Sequence, residues 1–277
     1  MAAYSQYIPD ARRIRSFFVR LPLATRGLSL VIVLFYLANL YWGATLHFWG
    51  ALIPEQIGIK SLYRLNTFPL IHKSLFHLLL NLFTLIPLLE RFEAEHGTIT
   101  TFILFTGPFG LIPGLIYTFL ERFLFHLNTG VVGSSIWVFL LLANESIKLY
   151  KANPEFVLGG FGIPTWVTPI FGILLVWFLV PGTSLLGHLC GAAVGYLWGV
   201  GWIRFLAPHD KILRWVEGKL NLLGRLPHYV SVDQKTYGRY GVLPSTRSAG
   251  STSVLGTMED GRAAAAGPIG STQRLGP

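Results

Sequence analysis

The sequence predicts an all-α polytopic membrane protein whose core is a bundle of six transmembrane helices. Hydrophobic residues make up 52% of its 277 residues, and only 13% are charged. A soluble domain carries about 25% charged residues, roughly twice that share. The apolar residues also come in blocks long enough to cross about 30 Å of hydrocarbon. The low charged fraction and the grouping of apolar residues into membrane-length blocks together exclude an ordinary soluble enzyme.

Hydropathy divides the core into six candidate spans. They lie at about 28–46, 71–89, 99–120, 130–147, 165–181 and 184–204. The fifth span is short, and little more than Pro181-Gly182-Thr183 joins it to the sixth, so these two are expected to form a tight hairpin. The third span contains Gly107-Pro108 and Pro113-Gly114 and is expected to be kinked or broken there, which neighbouring helices must accommodate.

The Lys and Arg residues predict how these spans are oriented. Six spans put both termini on one side of the membrane, and eighteen of the 22 Lys and Arg residues fall on that side. Because positively charged loops stay in the cytosol, both termini are predicted to be cytosolic. The basic flanks also account for the formal net charge of +9. A charge arranged around a membrane core argues against a nucleic-acid partner.

Three regions follow from this reading: a basic cytosolic N-terminus (1–26), a membrane domain (27–205) and a cytosolic tail (206–277). The first apolar run is long and lacks a small-residue cleavage site, which favours an uncleaved signal-anchor over a removable signal peptide. A mitochondrial transit peptide is the alternative for so Arg-rich and acid-poor a start. The single cysteine, Cys190, allows no intrachain disulfide.

The tail is predicted to begin on the membrane surface. Residues 211–226 are amphipathic, with Ile212, Trp215, Val216 and Leu223 on one face, as in a helix lying on an anionic bilayer. From Ser245 onward Gly, Ser, Thr and Ala dominate, so this end is expected to be disordered.

Polar side chains occur at one predicted depth in three of the spans. His77 and Asn81 lie in span two, Ser135 in span four and His188 in span six. Each lies about four to ten residues inside a span that starts on the non-cytosolic face, which is roughly 6–15 Å below the membrane surface. This common level predicts one water-filled cavity open to the lumen or the outside. An ionisable side chain in a bilayer is costly, so it indicates a functional site.

Ser135 and His188 are the residue types of a nucleophile and its general base. Their helices can come close, because Gly191 and Gly195 share a face with His188 and small residues at this spacing let two backbones approach. Gly133, two residues before Ser135, likewise removes bulk beside the nucleophile. The sequence therefore predicts hydroxyl-to-imidazole contact between spans four and six.

A second polar pair lies on span two. His77 and Asn81 are four residues apart, so they share one face of a helix and can direct donors at one point.

The motifs, in this order, resemble those of the rhomboid family of intramembrane serine proteases. The family signatures H-x-x-x-N, G-x-S-x and H-x-x-G-x-x-x-G read here as His77-Leu-Leu-Leu-Asn81, Gly133-Ser134-Ser135-Ile136 and His188-Leu-Cys-Gly191-Ala-Ala-Val-Gly195. The resemblance covers about residues 20–205. A six-span core with a long cytosolic tail is most similar to the fungal Golgi-type rhomboids. It implies a rhomboid-like helix bundle in a Golgi or other endomembrane.

The resemblance implies a Ser–His dyad without an acidic member, and no metal or other cofactor. Ser135 would attack the scissile carbonyl, and His188 would take and return its proton. His77 and Asn81, with the backbone N–H of Ser135, would bind the oxyanion. No Asp or Glu is expected at this depth. Phe139, one turn after the serine, would stack on the histidine where relatives often have Tyr.

Two departures from the family pattern concern substrate handling rather than chemistry. Ile136 stands where Gly is frequent, which would tighten the pocket. The Trp-Arg pair that many relatives carry in the first loop is absent, and Tyr63-Arg64 is at best its remnant.

The expected substrates are membrane proteins, cleaved in or near a transmembrane helix and preferentially beside helix-breaking residues. Fungal relatives suggest membrane-tethered transcription factors of the sterol-regulatory class. In the tail, residues 237–244 (Tyr-Gly-Arg-Tyr-Gly-Val-Leu-Pro) are similar to segments with which related proteins recruit the AAA ATPase that extracts membrane proteins; a plain linker is the alternative.

Other interpretations remain open from sequence alone. Ser134 is the neighbouring candidate nucleophile, and His72 is expected to be a structural hydrogen-bonder at the membrane interface. The chain could instead be a non-proteolytic rhomboid-like protein that binds membrane clients for retention or degradation, or a small transporter. Zinc and aspartyl intramembrane proteases are excluded, because there is no H-E-x-x-H motif and no span has an interior Asp.

Overall fold

The computed structural model describes residue 16 and residues 18–220 and 225–236 of the chain. The described residues contain ten α-helices, numbered in chain order. They are α1 (Leu23–Trp42), α2 (Ala44–Gly50), α3 (Arg64–Thr67), α4 (Leu75–His96), α5 (Thr98–Thr106), α6 (Pro108–Phe119), α7 (Ser135–Ala152), α8 (Thr168–Leu179), α9 (Leu185–Val200) and α10 (Asp210–Lys219).

A two-stranded antiparallel hairpin joins α7 to α8. Its strands are β1 (Glu155–Leu158) and β2 (Phe161–Pro164), with Glu155 opposite Pro164 and Leu158 opposite Phe161. A single 3₁₀ turn, Thr165–Val167, leads from the hairpin into α8. This hairpin is not predicted from the sequence, because a four-residue strand rich in Gly and apolar residues resembles the start of the next hydrophobic span.

Within the part of the chain that the structure describes, three helical segments are long and apolar enough to cross a membrane: α1, α4 and the run Thr98–Leu124. The count rises to four if α9 and the helical residues that follow it through Lys219, bent by 92°, form one span. Each predicted span coincides with an apolar helical segment, but length and composition do not confirm a count of six. Helix α7 contains Glu145, Lys148 and Lys151, and α8 has only 12 residues.

The run Thr98–Leu124 is interrupted at the first of its two Gly/Pro pairs. Helix α5 ends at Thr106 and α6 begins at Pro108, whereas Pro113-Gly114 lies inside the continuous α6. The last turn, Leu120–Leu124, is a π-helix. The break therefore occurs where proline removes the backbone donor and Gly107 adopts a non-helical conformation, with φ −134° and ψ −104°.

The core is built around α7, which packs along α9 for most of its length. Large aromatic side chains fill the space where α4, α5 and α6 meet these two helices. Phe92, Phe105, Phe109, Trp137 and Trp198 are at most 2% exposed and contact one another mostly edge to face. Such pairs stabilise by about 0.5–1.5 kcal/mol each beyond the burial of their area.

A buried carboxylate fixes the start of α1 against α4. Glu93 is fully buried and accepts hydrogen bonds from the backbone N–H groups of Ala24 (2.8 Å) and Thr25 (2.7 Å). The hydroxyls of Thr25 and Thr98 each donate to it at 2.7 Å. The four hydrogen bonds compensate the cost of burying this carboxylate. Since the donors come from α1 and α5, the carboxylate links these two helices to α4.

The segment 225–236, here called the C-terminal strap, crosses the same helix ends. The Val230 carbonyl accepts from Thr98 N–H at 2.9 Å, and Val230 N–H donates to the Thr98 hydroxyl at 2.9 Å. The Leu23 N–H donates to His228 at 3.1 Å, and Thr236 N–H to Ala94 at 3.0 Å. The strap thus supplies backbone partners at the ends of α1, α4 and α5.

Helix α10 covers part of the amphipathic segment expected at 211–226. Leu213 is buried against the protein, whereas Ile212 and Trp215 are 58% and 64% exposed. Residues 221–224, the basic N-terminus up to residue 15, the motif at 237–244 and the tail expected to be disordered lie outside the described residues.

Candidate active site

The predicted hydroxyl and imidazole lie within hydrogen-bond distance. Ser135 is the first residue of α7 and His188 is in the first turn of α9. The His188 Nε2 atom lies 3.1 Å from the Ser135 Oγ atom. At this separation the imidazole can take the hydroxyl proton, which is the geometric requirement for a general base.

Glycines on α9 make this contact achievable. A β-carbon on Gly191 would lie 2.3 Å from the carbonyl oxygen of Ile136, and one on Gly195 would lie 2.0 Å from that of Leu140. Neither distance is sterically allowed, so only residues without a side chain fit. The glycine spacing predicted from the sequence therefore brings the two backbones into direct contact.

An aromatic ring holds His188 from one side. The ring centroids of Phe139 and His188 are 4.6 Å apart with the planes tilted by 42°, and both side chains are only 4% exposed. The Nδ1 atom of His188 is buried and has no hydrogen-bond partner among the described residues. Ring packing rather than a carboxylate therefore orients the imidazole.

His77 and Asn81 lie beside Gly133, two residues before the serine. A β-carbon on Gly133 would be 2.8 Å from His77 Nε2 and 3.8 Å from Asn81 Nδ2. Gly133 also has φ of +114°, which disfavours any other residue. Asn81 Nδ2 donates to the His77 carbonyl at 2.9 Å, which leaves its second hydrogen for another acceptor. All four predicted chemistry-bearing side chains therefore surround one short stretch of backbone.

Ser134, the neighbouring candidate nucleophile, is fully buried and bonded to His72. The His72 Nδ1 lies 3.3 Å from the Leu70 carbonyl oxygen, so this nitrogen carries the ring proton. Nε2 then accepts from the Ser134 hydroxyl at 3.2 Å and from its N–H at 3.4 Å. His72 was expected at the membrane interface as a structural hydrogen-bonder. It hydrogen-bonds as expected but is fully buried, because the turn before α7 folds over it.

A cavity of about 520 Å³ opens at the pair. Ser135, His188, His77 and Gly133 line its wall, and Ser135 is partly exposed to it. Asn81 is buried behind this wall. Lys73 and residues 179–184, which join α8 to α9, form other parts of the lining. The cavity is large enough for several residues of an extended peptide.

One expectation about this level of the structure is wrong. No carboxylate was expected here, but Glu121 is 5% exposed and accepts from the N–H of Thr129, a cavity-lining residue, at 3.2 Å. The Tyr117 hydroxyl donates to the Thr129 carbonyl at 2.7 Å. Because the π-helical turn extends the third predicted span beyond residue 120, Glu121 turns inward instead of lying in a loop. Glu121 therefore fixes the segment that leads to Gly133; it does not orient His188.

Tyr63-Arg64 is a structural element of the first loop. Arg64 is 7% exposed and donates to the carbonyl oxygens of Phe48 (2.6 Å) and Ala51 (2.8 Å). Tyr63 stacks on Trp49 with ring centroids 5.0 Å apart. Arg64 therefore fixes the backbone of the first loop, and Tyr63 pairs with a tryptophan, Trp49, that comes from α2. Within the described part of the chain, no cluster of His, Cys, Asp or Glu has the makeup of a metal site.

Comparison with known proteins finds related chains along most of the sequence. The family model described as the Rhomboid domain matches residues 60–205. A rhomboid-type serine protease 2 from Neurospora crassa is 55% identical over 243 residues, which are 87% of this chain and 88% of that one. A rhomboid-type serine protease B from Aspergillus fumigatus is 54% identical over 265 residues, 96% of this chain and 94% of that one.

A more distant relative carries a similar name. The rhomboid-type serine protease 2 of Saccharomyces cerevisiae is 34% identical over 180 residues, which are 64% of this chain and 68% of that one. The similarity to the filamentous-fungal chains extends well beyond the segment that the family model covers.

Proposed function

Since the chain belongs to the rhomboid family and is a rhomboid-type intramembrane serine protease, we propose that Ser135 and His188 are its catalytic dyad. The observation that carries this proposal is the 3.1 Å separation of Ser135 Oγ and His188 Nε2 at the wall of the cavity. The alternative nucleophile, Ser134, is fully buried and bonded to His72, so it has no access to substrate.

The reaction is acyl transfer in two stages. The Ser135 hydroxyl adds to the scissile carbonyl while His188 Nε2 accepts its proton, and the proton then passes to the leaving amine as the peptide bond breaks. A water molecule then attacks the acyl carbonyl while His188 accepts its proton, the bond from the acyl carbon to Ser135 Oγ breaks, and His188 returns the proton to Oγ, which releases the carboxylic acid product and the free serine. Phe139 keeps the imidazole in place, while Gly191 and Gly195 keep the two helices close enough for proton transfer.

His77, Asn81 and the backbone N–H of Ser135 are proposed to stabilise the oxyanion. What supports this is the proximity of both side chains to Gly133, two residues before Ser135, where the absence of a side chain lets the His77 ring pack against the backbone. A single donor of this kind contributes about 3 kcal/mol to transition-state stabilisation.

The substrates are proposed to be membrane proteins with a transmembrane segment that unwinds readily. A peptide bond inside a helix is shielded by the neighbouring turns, so the substrate segment must unwind locally before its carbonyl can reach Ser135. Substrates with helix-breaking residues near the cavity side of the membrane should therefore be preferred. Membrane-tethered transcription factors of the sterol-regulatory class are our specific candidate, on the sequence resemblance to fungal rhomboids.

The chain is a multi-pass membrane protein, and we propose six spans with both termini in the cytosol and residence in the Golgi or another endomembrane. The concentration of Lys and Arg on the side of the termini supports the orientation. The resemblance to fungal Golgi-type rhomboids supports the organelle, and recruitment of an AAA ATPase through residues 237–244 remains a proposal from the same resemblance.

The decisive experiment compares serine and histidine variants in proteoliposomes. Ser135→Ala and His188→Ala should abolish cleavage of a single-span reporter, and a fluorophosphonate probe should label the parent chain at Ser135 only. Ser134→Ala, the matched control one residue away, should retain labelling at Ser135. Unchanged cleavage by Ser135→Ala would overturn the dyad, and retained client binding without any cleavage by the parent chain would favour a non-proteolytic role.

A further inference from the structure

The β1–β2 hairpin is unusually apolar for a segment between two membrane helices. From Glu155 to the residue before Arg204, the chain contains no Lys, Arg or Asp, and Glu155 is its only Glu. The hairpin lies where α7 ends, next to Lys148 and Lys151, so a polar loop would be the ordinary expectation. Its tip is Gly159-Gly160, both with positive φ, which lets two strands turn within two residues.

The strand register places the four largest apolar side chains of the hairpin on one face, whereas Val157 lies on the opposite face with Gly162. Residues that pair directly lie on the same face, and alternate residues along a strand point the same way. The pairs Phe156–Ile163 and Leu158–Phe161 therefore share one face. The two residues nearer the body are half-buried, whereas Leu158 and Phe161 at the tip are 63% and 77% exposed.

Helix α8, which follows the hairpin, is short for a membrane span. With its leading 3₁₀ turn it covers residues 165–179. Fifteen helical residues rise about 22 Å, whereas the hydrocarbon is about 30 Å thick. The missing apolar length lies at one end of α8, and the hairpin is the segment attached to its N-terminal end.

We propose that the hairpin lies in the headgroup–acyl boundary of the leaflet at the C-terminal end of α7, with Leu158 and Phe161 inserted among the lipid chains. The partner is the bilayer itself. A two-stranded hairpin has unpaired backbone groups along both edges, which excludes it from the hydrocarbon centre. At the boundary, water and headgroups satisfy those edges while the apolar face is buried.

Continuity with the lipid-facing surface favours lipid over a protein partner. Trp166, Phe171 and Leu174, which follow the hairpin, are 40–52% exposed and belong to the apolar helical segment Thr165–Leu179. The apolar tip extends this surface without an intervening charge. By filling the missing length of α8, the hairpin compensates the hydrophobic mismatch.

The test places an environment-sensitive fluorophore on the hairpin of the full chain in phosphatidylcholine–phosphatidylglycerol proteoliposomes. Phe161→Cys carries the label on the apolar face, and Val157→Cys carries it on the opposite face at nearly equal exposure, 76%. The native Cys190 is buried, so the parent chain measures background labelling. Both substituted side chains are exposed, so folding is not at risk.

The expected result is quenching by shallow nitroxide lipids at least twofold stronger for the label at position 161 than at 157, with the reverse order for aqueous iodide. Equal iodide quenching at the two positions, without nitroxide quenching at 161, would overturn the proposal. Disulfide-linked dimers of Phe161→Cys with protection from both quenchers would also overturn it, in favour of a second copy of the chain.

Discussion

The backbone of Gly195 lies directly against that of Leu140, so that a β-carbon on the glycine would sit 2.0 Å from the leucine carbonyl oxygen. This contact is about one and a half turns beyond Ser135 along α7 and about two turns beyond His188 along α9. It holds the two helices at the separation that the pair requires. The obstacle is backbone rather than a mobile side chain, so the helices would have to move apart to accommodate any substitution.

Gly195→Ala should therefore impair both stability and activity. We expect a loss of at least about 2 kcal/mol of unfolding free energy, because overpacking against backbone has no easy relaxation. The rate constant kcat should fall by about 10²-fold, because displacing a catalytic group by about 1 Å costs that much. Thermal unfolding in detergent and reporter cleavage provide the two measurements.

Gly218→Ala is the control for that substitution. Gly218 lies in α10 with no atom near its missing β-carbon, so alanine there should be neutral or stabilising by up to about 1 kcal/mol. Equal effects of the two substitutions would contradict the close-contact argument.

His72→Phe tests whether the bond from His72 to Ser134 positions the nucleophile. The phenyl ring leaves the hydroxyl and N–H of Ser134 without their shared acceptor, at a cost of about 1–3 kcal/mol. Because the neighbouring Ser135 would lose its fixed position, kcat should fall while KM changes little. His72→Gln should recover part of kcat, since its amide oxygen accepts hydrogen bonds. If His72→Phe and His72→Gln lowered kcat equally and both lowered thermal stability, the role of His72 would be purely structural.

Glu93→Gln should destabilise the protein without changing the chemistry at the serine. The amide nitrogen that Glu93→Gln introduces would replace an oxygen that accepts hydrogen bonds, and an NH₂ group cannot accept them. At least one buried hydrogen bond is therefore lost. Because hydrogen bonds to a charged group are strong, we expect about 3 kcal/mol. Urea or thermal unfolding in detergent measures it. Glu90→Gln, on an exposed position of the same helix, should have little effect; a comparable loss there would contradict the assignment.

Tyr229→Phe should loosen the C-terminal strap. The Tyr229 hydroxyl donates to Glu217 at 2.7 Å, and the same carboxylate accepts from Val232 N–H at 3.1 Å. Hydrogen exchange of the Leu23 and Thr98 amides, which bond to the strap, should accelerate. Tyr150→Phe, at an exposed position, should leave both rates unchanged; unaltered exchange in Tyr229→Phe would show that the strap is held by its other bonds.

The same contact predicts a response to alkaline pH. Burial and the hydrogen bond to the Glu217 carboxylate raise the pKa of the Tyr229 phenol above its ordinary value. The folded state thus favours the protonated phenol, so its contribution is complete below about pH 10, the ordinary value, and is lost as pH rises further. Thermal stability scanned from pH 8 to higher values should therefore decline less steeply in Tyr229→Phe than in the parent chain.

The sequence predicted the chemistry-bearing residues of the site because they follow helical spacing and family motifs. Four-residue spacing put His77 and Asn81 on one face, and the glycines after His188 predicted the approach of α7 and α9. These spacings lie within single helices, so the sequence separation alone determines which residues share a face. Whether these residues carry the roles assigned to them is what the serine and histidine variants test.

What the sequence could not predict are contacts between elements far apart in the chain. The bond from His72 to Ser134 joins residues 62 positions apart, and the strap reaches Thr98 from Val230. Neither has a periodic signature. The burial of Glu121 was not predicted, because hydropathy ends the third span at about residue 120, whereas a π-helical turn continues the helix through Leu124. The span count stayed open for a related reason, since α7 mixes charged and apolar residues and α8 is short.

The engagement of Ser134 with His72 leaves the first turn of α7 without a side-chain cap. The side chain of a serine at the N-cap ordinarily accepts a hydrogen bond from a backbone N–H of the first helical turn. Here that hydroxyl bonds to His72 instead, so no side chain among the described residues caps the amides of Ser135 and Ile136, and the positive pole of the helix dipole lies at Ser135. Under the proposed dyad, this arrangement would favour negative charge developing beside Ser135, and it would do so at the cost of an ordinary helix cap.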